Sequence, residues 1–89
     1  MASYRLTNRA EAKLAAIYEY SILHWGRARA RDYLTELHHA FSLLAENPRM
    51  GRDIGELRRG VRRHVHASHV IYYRAERSGV LILDVLGER

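Results

Sequence analysis

The sequence predicts an α+β domain in which an N-terminal strand is followed by an antiparallel hairpin of two helices, packed on a largely antiparallel sheet of three to four strands. Three observations carry this. Apolar residues recur at helical spacing through the first half, one glycine divides that half in two, and after residue 60 the period changes from helical to strand-like.

Ser3 to Leu6 reads as a short strand. Asn8 followed three positions later by Glu11 resembles a capping box, so the first helix is expected to begin at Asn8. Ala10, Leu14, Ile17, Ser21 and Trp25 share one helical face with Tyr18 and Ile22 beside them, and Gly26 ends the helix. A second stripe, Ala30, Tyr33, Leu34, Leu37, Phe41 and Leu44, runs to Asn47-Pro48, where the proline pushes its predecessor out of helical geometry. Two long helices joined at one glycine fold back on each other, with Tyr18, Trp25 and Phe41 expected in the core between them. Glycines at 51, 55 and 60 then punctuate a polar connection. Val61 to Ala67, His69 to Ala75 and Val80 to Leu86 are three strand-like runs, the latter two joined through Glu76-Arg77-Ser78-Gly79. Nothing reads as a linker, repeat or low-complexity segment, so residues 1–89 form a single domain with a modest core.

The last run is unusual. Val80, Leu81, Ile82, Leu83, Val85 and Leu86 are apolar toward both faces, interrupted only by Asp84, whereas a sheet covered by helices on one side normally alternates. The second face needs a cover, either a partner protein or the chain's own loops.

The formal net charge is +5, and its excess sits after residue 46, where nine basic residues meet five acidic ones. All basic residues but Lys13 are arginine, the side chain suited to carboxylates and phosphates. Between Arg49 and Arg74, the residues Arg49, Arg52, Arg58, Arg59, Arg62, Arg63 and Arg74 meet only Asp53 and Glu56, a basic patch fitting phosphates or an acidic protein surface. On a strand Arg63 shares a face with Val65, and Arg62 shares the other with His64. Without cysteine there is no disulfide framework or thiolate metal site, and no apolar run approaches the roughly 18 residues of a membrane span, so a cytoplasmic location is expected.

His64, His66 and His69 are too sparse a ligand set for a metal, and neither metal nor cofactor is expected. His69, close to Tyr72, Tyr73 and Arg74, is the better candidate for proton transfer, although the two tyrosines must point to opposite faces. There is no Ser-His-Asp order, phosphate loop or carboxylate pair, which argues against a small-molecule enzyme.

Several stretches resemble a known family. Tyr4-Arg5-Leu6-Thr7, Ile17-Tyr18 through Trp25-Gly26, and Ala30 with Tyr33 are similar to the N-terminal half of ParE-type toxins of the RelE/ParE superfamily. Glu46-Asn47-Pro48-Arg49-Met50-Gly51-Arg52, Leu57-Arg58-Arg59-Gly60-Val61-Arg62, Ser68-His69-Val70-Ile71-Tyr72-Tyr73-Arg74 and Ile82-Leu83-Asp84-Val85-Leu86 follow in the family's order. The resemblance implies the RelE/ParE-like fold and a type II toxin in a heteromeric complex with a ParD-like antitoxin, through which operator DNA is bound. It implies DNA gyrase as target for a ParE-like member, or ribosome-dependent cleavage of messenger RNA for a RelE-like one.

One departure favours inhibition by binding over a nuclease: after Val85-Leu86 the family usually has His, and here stands Gly87, which cannot carry a proton. The chain also stops where many relatives continue for a short tail. On this reading Arg58, Arg59, Arg62, Arg74 and Arg89 contact the target, and Tyr18, Leu37, Leu81, Leu83 and Val85 contact the antitoxin. In the nuclease alternative His69 would be acid or base, with Arg62 and Arg74 stabilising phosphate charge.

Overall fold

A computed structural model describes residues 2–87. Strand β1 (Ser3–Leu6) leads into helices α1 (Asn8–Trp25) and α2 (Arg27–Glu46); a 3-10 turn (Pro48–Met50) and a two-residue strand β2 (Arg52–Asp53) precede β3 (Val61–His66), β4 (His69–Glu76) and β5 (Gly79–Gly87). The sheet has the order β1-β5-β4-β3-β2 and every neighbouring pair is antiparallel except β1 with β5. Both helices lie on one face.

The first helix begins at Asn8 as the sequence suggests, but the side chain that caps it is not that of Asn8. Thr7 is the cap, its hydroxyl accepting from Ala10 N at 3.0 Å and donating to Leu83 O at 2.9 Å, so one side chain both opens α1 and fastens it to β5. Gly26, at φ 88, ends α1 and turns the chain directly into α2, a conformation that non-glycine residues rarely adopt. The sheet has five strands rather than three or four, because two residues of the polar connection pair with β3 and because β1 joins the edge beside β5. Close approach fixes that edge: a side chain at Gly79 would run into the backbone of Ser3.

Two-residue turns join β3 to β4 and β4 to β5, so Val61 pairs with Arg74, Arg63 with Tyr72, and His66 with His69. Cross-strand partners share a face, so this register sorts the side chains. Ile71, Tyr73, Val80, Ile82 and Val85 turn toward the helices and pack with Leu14, Leu37, Phe41 and Leu44. Two residues expected in the hairpin core are not there: Tyr18 and Trp25 are exposed, because Tyr18 lies beside the buried Ala10, Leu14 and Ser21 face of α1 and Trp25, although on that face, is the last residue of the helix.

Tyr73 ties the helices to the sheet's far side. Its buried hydroxyl donates to Pro48 O at 2.7 Å and accepts from Gly51 N at 2.8 Å, closing the turn after α2 onto β4, and the approach is so close that a Cβ at Gly51 would also lie 2.8 Å from Arg63 O. Tyr73→Phe strands a buried amide and a carbonyl, which costs about 1–3 kcal/mol. We expect its melting temperature to fall by at least about 4 °C, given roughly 4–8 °C per kcal/mol for a domain of this size. Tyr72→Phe, on the opposite face, should melt close to the native chain, and equal melting of both variants would show that the Tyr73 hydroxyl ties nothing down.

Candidate functional site

The face of the sheet away from the helices is met among the described residues by the loop that carries Ile54 and Arg58, and the register collects arginines on it. Arg63 lies across from Tyr72 on one side and from Arg52 on the other, while Arg74 lies between Val61 and Leu81. A groove of about 580 Å³ opens on this face, its floor formed by Val61, Tyr72, Leu83 and Leu86 and its walls by Ile54, Arg9 and Arg58. Ile54 is held there by its amide donating to Val61 O at 3.0 Å. The groove's carboxylate, Asp84, is already engaged: Lys13 Nζ lies 3.0 Å and Arg9 Nη1 3.6 Å from it, and it accepts from Val85 N at 2.9 Å. What remains unneutralised on this surface is positive, over an apolar floor.

Of the residues expected at the target, Arg58 and Arg74 flank this face, Arg59 is exposed in the loop before β3, and Arg89 lies outside the described residues. Arg62 does not join them. It is on the helix face, where its Nη1 donates to Gly51 O at 2.7 Å and its Nη2 lies 3.9 Å from Asp53, so it braces the turn after α2. Arg63 takes its place on the open face. Sequence reasoning had the pleat that separates Arg62 from Arg63; it lacked the register, which the short Ala67-Ser68 connection could have supplied by aligning Arg63 with Tyr72.

Of the residues expected at the antitoxin, Leu81, Leu83 and Tyr18 reach the surface. Leu37 and Val85 do not: both are sealed in the core under the helix hairpin, where no partner can touch them without unfolding the domain. The apolar doubling of β5 has a local cause. A bulge opposite Tyr72 and Tyr73 places Ile82 and Val85 on the helix face with Leu83 and Asp84 between them, so the strand changes phase midway.

The alternative catalytic set is not assembled. His69 sits at the start of β4 on the helix face, its Nδ1 2.6 Å from the Tyr33 hydroxyl, while Arg74 is five residues on, about 17 Å along the strand, and faces the other way. Burial pushes the Tyr33 phenol up, and burial followed by the charge of His66 pushes the His69 imidazole down. A neutral phenol donating to a neutral imidazole fits both directions, and it ties Nδ1 of His69 to α2. His64 is likewise held down by burial and then by His66. The described residues contain no group of three or more His, Cys, Asp or Glu side chains placed to hold a metal, and no helix is long and apolar enough to cross a membrane.

Comparison with known proteins agrees with the fold and the motifs. Residues 4–89 match the family model described as the ParE toxin of the type II toxin-antitoxin system parDE. The chain is 45% identical over 74 residues to a protein named Toxin ParE1 from Caulobacter vibrioides, covering 83% of this chain and 77% of that one. It is 38% identical over 87 residues to a Toxin ParE1 from Mycobacterium tuberculosis, covering 97% and 89%. A solved structure described as a chromosomal ParDE TA system from P. aeruginosa superposes with a TM-score of 0.81 over 100% of this chain and 98% of that one, at 22% identity, and so shares the fold. The chain belongs to the ParE toxin family of type II toxin-antitoxin systems.

The histidines give the domain a pH dependence whose sign follows from their direction. Because the folded values of His64 and His69 lie below the ordinary value of 6.5, the unfolded chain binds more protons in that window; the stability they confer is complete above about 6.5 and is lost as pH falls through the folded values. The melting temperature should therefore decline on acidification from pH 7.5 toward 5, and His64→Gln with His69→Gln should flatten the decline. A native curve that is level across this window would contradict the burial of these rings.

Proposed function

We propose that this ParE-family toxin inhibits DNA gyrase by binding it through the open face of the sheet, and that a ParD-like antitoxin neutralises it by covering the same face. The observation that carries the reading is the coincidence, on one surface, of an apolar groove with Arg58, Arg63 and Arg74. An acidic target surface pairs with the arginines; a partner segment that fills the groove over Leu81 and Leu83 necessarily screens them. Neutralisation is then occlusion and needs no change of shape in the toxin. Arg59 extends the basic surface, and Tyr18 lies on a different side of the molecule, reachable by an antitoxin that wraps around it. Operator DNA would be bound through the antitoxin, and the complex would act in the cytoplasm, where the topoisomerase is.

Purified gyrase supercoiling relaxed plasmid, with and without the chain, tests this. Inhibition is expected with the native chain and its loss with Arg63→Glu plus Arg74→Glu, the first at a half-buried and the second at an exposed position, with thermal melting run beside the assay to show that the double variant is folded. Unaffected supercoiling, together with discrete cleavage of messenger RNA at the ribosomal A site in primer extension, would replace gyrase inhibition with the nuclease reading.

A further inference from the structure

The loop between β2 and β3 carries at its tip a side chain that the fold does not use. Leu57 is 82% exposed and stands between Glu56 and the exposed pair Arg58 and Arg59. The backbone beneath it is fixed. Asp53 Oδ1 accepts from Gly55 N at 2.7 Å, Ile54 O accepts from Leu57 N at 2.9 Å and from Arg58 N at 3.0 Å, and Arg58 O accepts from Val61 N at 3.2 Å. The Ile54 amide in turn donates to Val61 O at 3.0 Å, and Gly60, at φ 80, brings the chain back into β3. Both ends of the loop are thereby pinned to the first residue of β3, and Leu57 is held out on a closed turn. Among the described residues no ion pair involves Glu56, Arg58 or Arg59. Ile54 and Arg58 are also walls of the groove, so the tip continues the open face of the sheet.

We propose that Leu57 is an apolar anchor that seats in a preformed pocket on the acidic surface of the toxin's folded target, with Arg58 and Arg59 meeting carboxylates at the pocket's rim, an assignment that rests on the gyrase reading above. Shape selects the occupant. The groove is concave and takes an extended segment, whereas the loop tip is convex and needs a concavity, which a folded protein has and an extended chain lacks. A nucleic acid would pair with the two arginines, but an aliphatic side chain gives its bases nothing to stack on. The loop's own hydrogen bonds already hold the backbone, so seating Leu57 orders little that was free before. An aliphatic side chain in a pocket with a polar rim is also a sound way to centre an interface. The anchor supplies what charge alone lacks: arginines attract any acidic surface, and only one with a pocket beside its carboxylates accommodates Leu57 without leaving them unpaired.

The test titrates the full chain into purified gyrase supercoiling relaxed plasmid and, separately, into its cognate antitoxin. Leu57→Ser is expected to raise the half-inhibitory concentration about tenfold or more, the worth of one leucine buried in a pocket. It should melt within about 3 °C of the native chain, as exposed substitutions do. Leu57→Met keeps the apolar bulk and should inhibit within about threefold of native. Antitoxin affinity of Leu57→Ser should stay within about twofold of native, since the groove is untouched. Inhibition by Leu57→Ser within about twofold of native would overturn the anchor while leaving gyrase as the target. Equal weakening by Leu57→Met and Leu57→Ser would overturn it as well, because apolar bulk would then not be what the target holds. A loss of antitoxin affinity as large as the loss of inhibition would overturn it in favour of the antitoxin as occupant. A native chain that leaves supercoiling untouched would remove the gyrase reading and the anchor with it.

Discussion

Everything the open face offers depends on the turn at Ala67 and Ser68. Ala67 takes a positive φ of 53, and the turn pairs His66 with His69 and every earlier residue of β3 with its partner on β4. Side chains alternate with a period of two, so a slip of one residue in β4 would carry Ile71 and Tyr73 out of the core and bring Tyr72 and Arg74 into it. The hydrophobic cost of that exchange locks the register. The same register separates two adjacent arginines into different trades: Arg62 braces the turn after α2, and Arg63 stands beside Tyr72 where a partner can reach it.

Much of this was legible in the residue pattern, for reasons particular to each element. Gly26 and Pro48 are strong local signals, and both helices end where these residues require. The alternation after residue 60 located three strands. What was hidden depended on contacts between distant segments. Thr7 became the cap because its hydroxyl also has Leu83 O to donate to, a partner 76 positions away. Strand β2 is two residues long and carries no alternation to recognise; it exists because β3 offers it an edge. Trp25 shares the face of the buried Ala10, Leu14 and Ser21 and is exposed all the same, since a helical wheel gives the face of a residue and not how far along the helix its cover extends.

That ambiguity recurs in β5. Apolar residues on both sides of a strand call for either a bulge or a cover, and here the bulge accounts for part of the pattern while the groove over Leu83 and Leu86 accounts for the rest. The candidate site is thus made of residues whose types were visible, assembled by a phase change that was not. The antitoxin candidates Leu37 and Val85 fail for the same reason: hydrophobicity marks a residue for burial without saying against what.

The pairing of β1 with β5 joins Ser3 to Gly79 and Leu6 to Ile82. Such distant ends close a sheet slowly, because most of the chain must be ordered before the contact rewards it. During synthesis β5 emerges after every other described element, so β1 waits without its partner until then, as does the cap of α1 that leans on Leu83. The groove and its arginines, which use Leu83 and Leu86, cannot exist on a nascent chain. The open face is in this way withheld until translation of the domain is finished, and whatever it binds can bind only the completed chain.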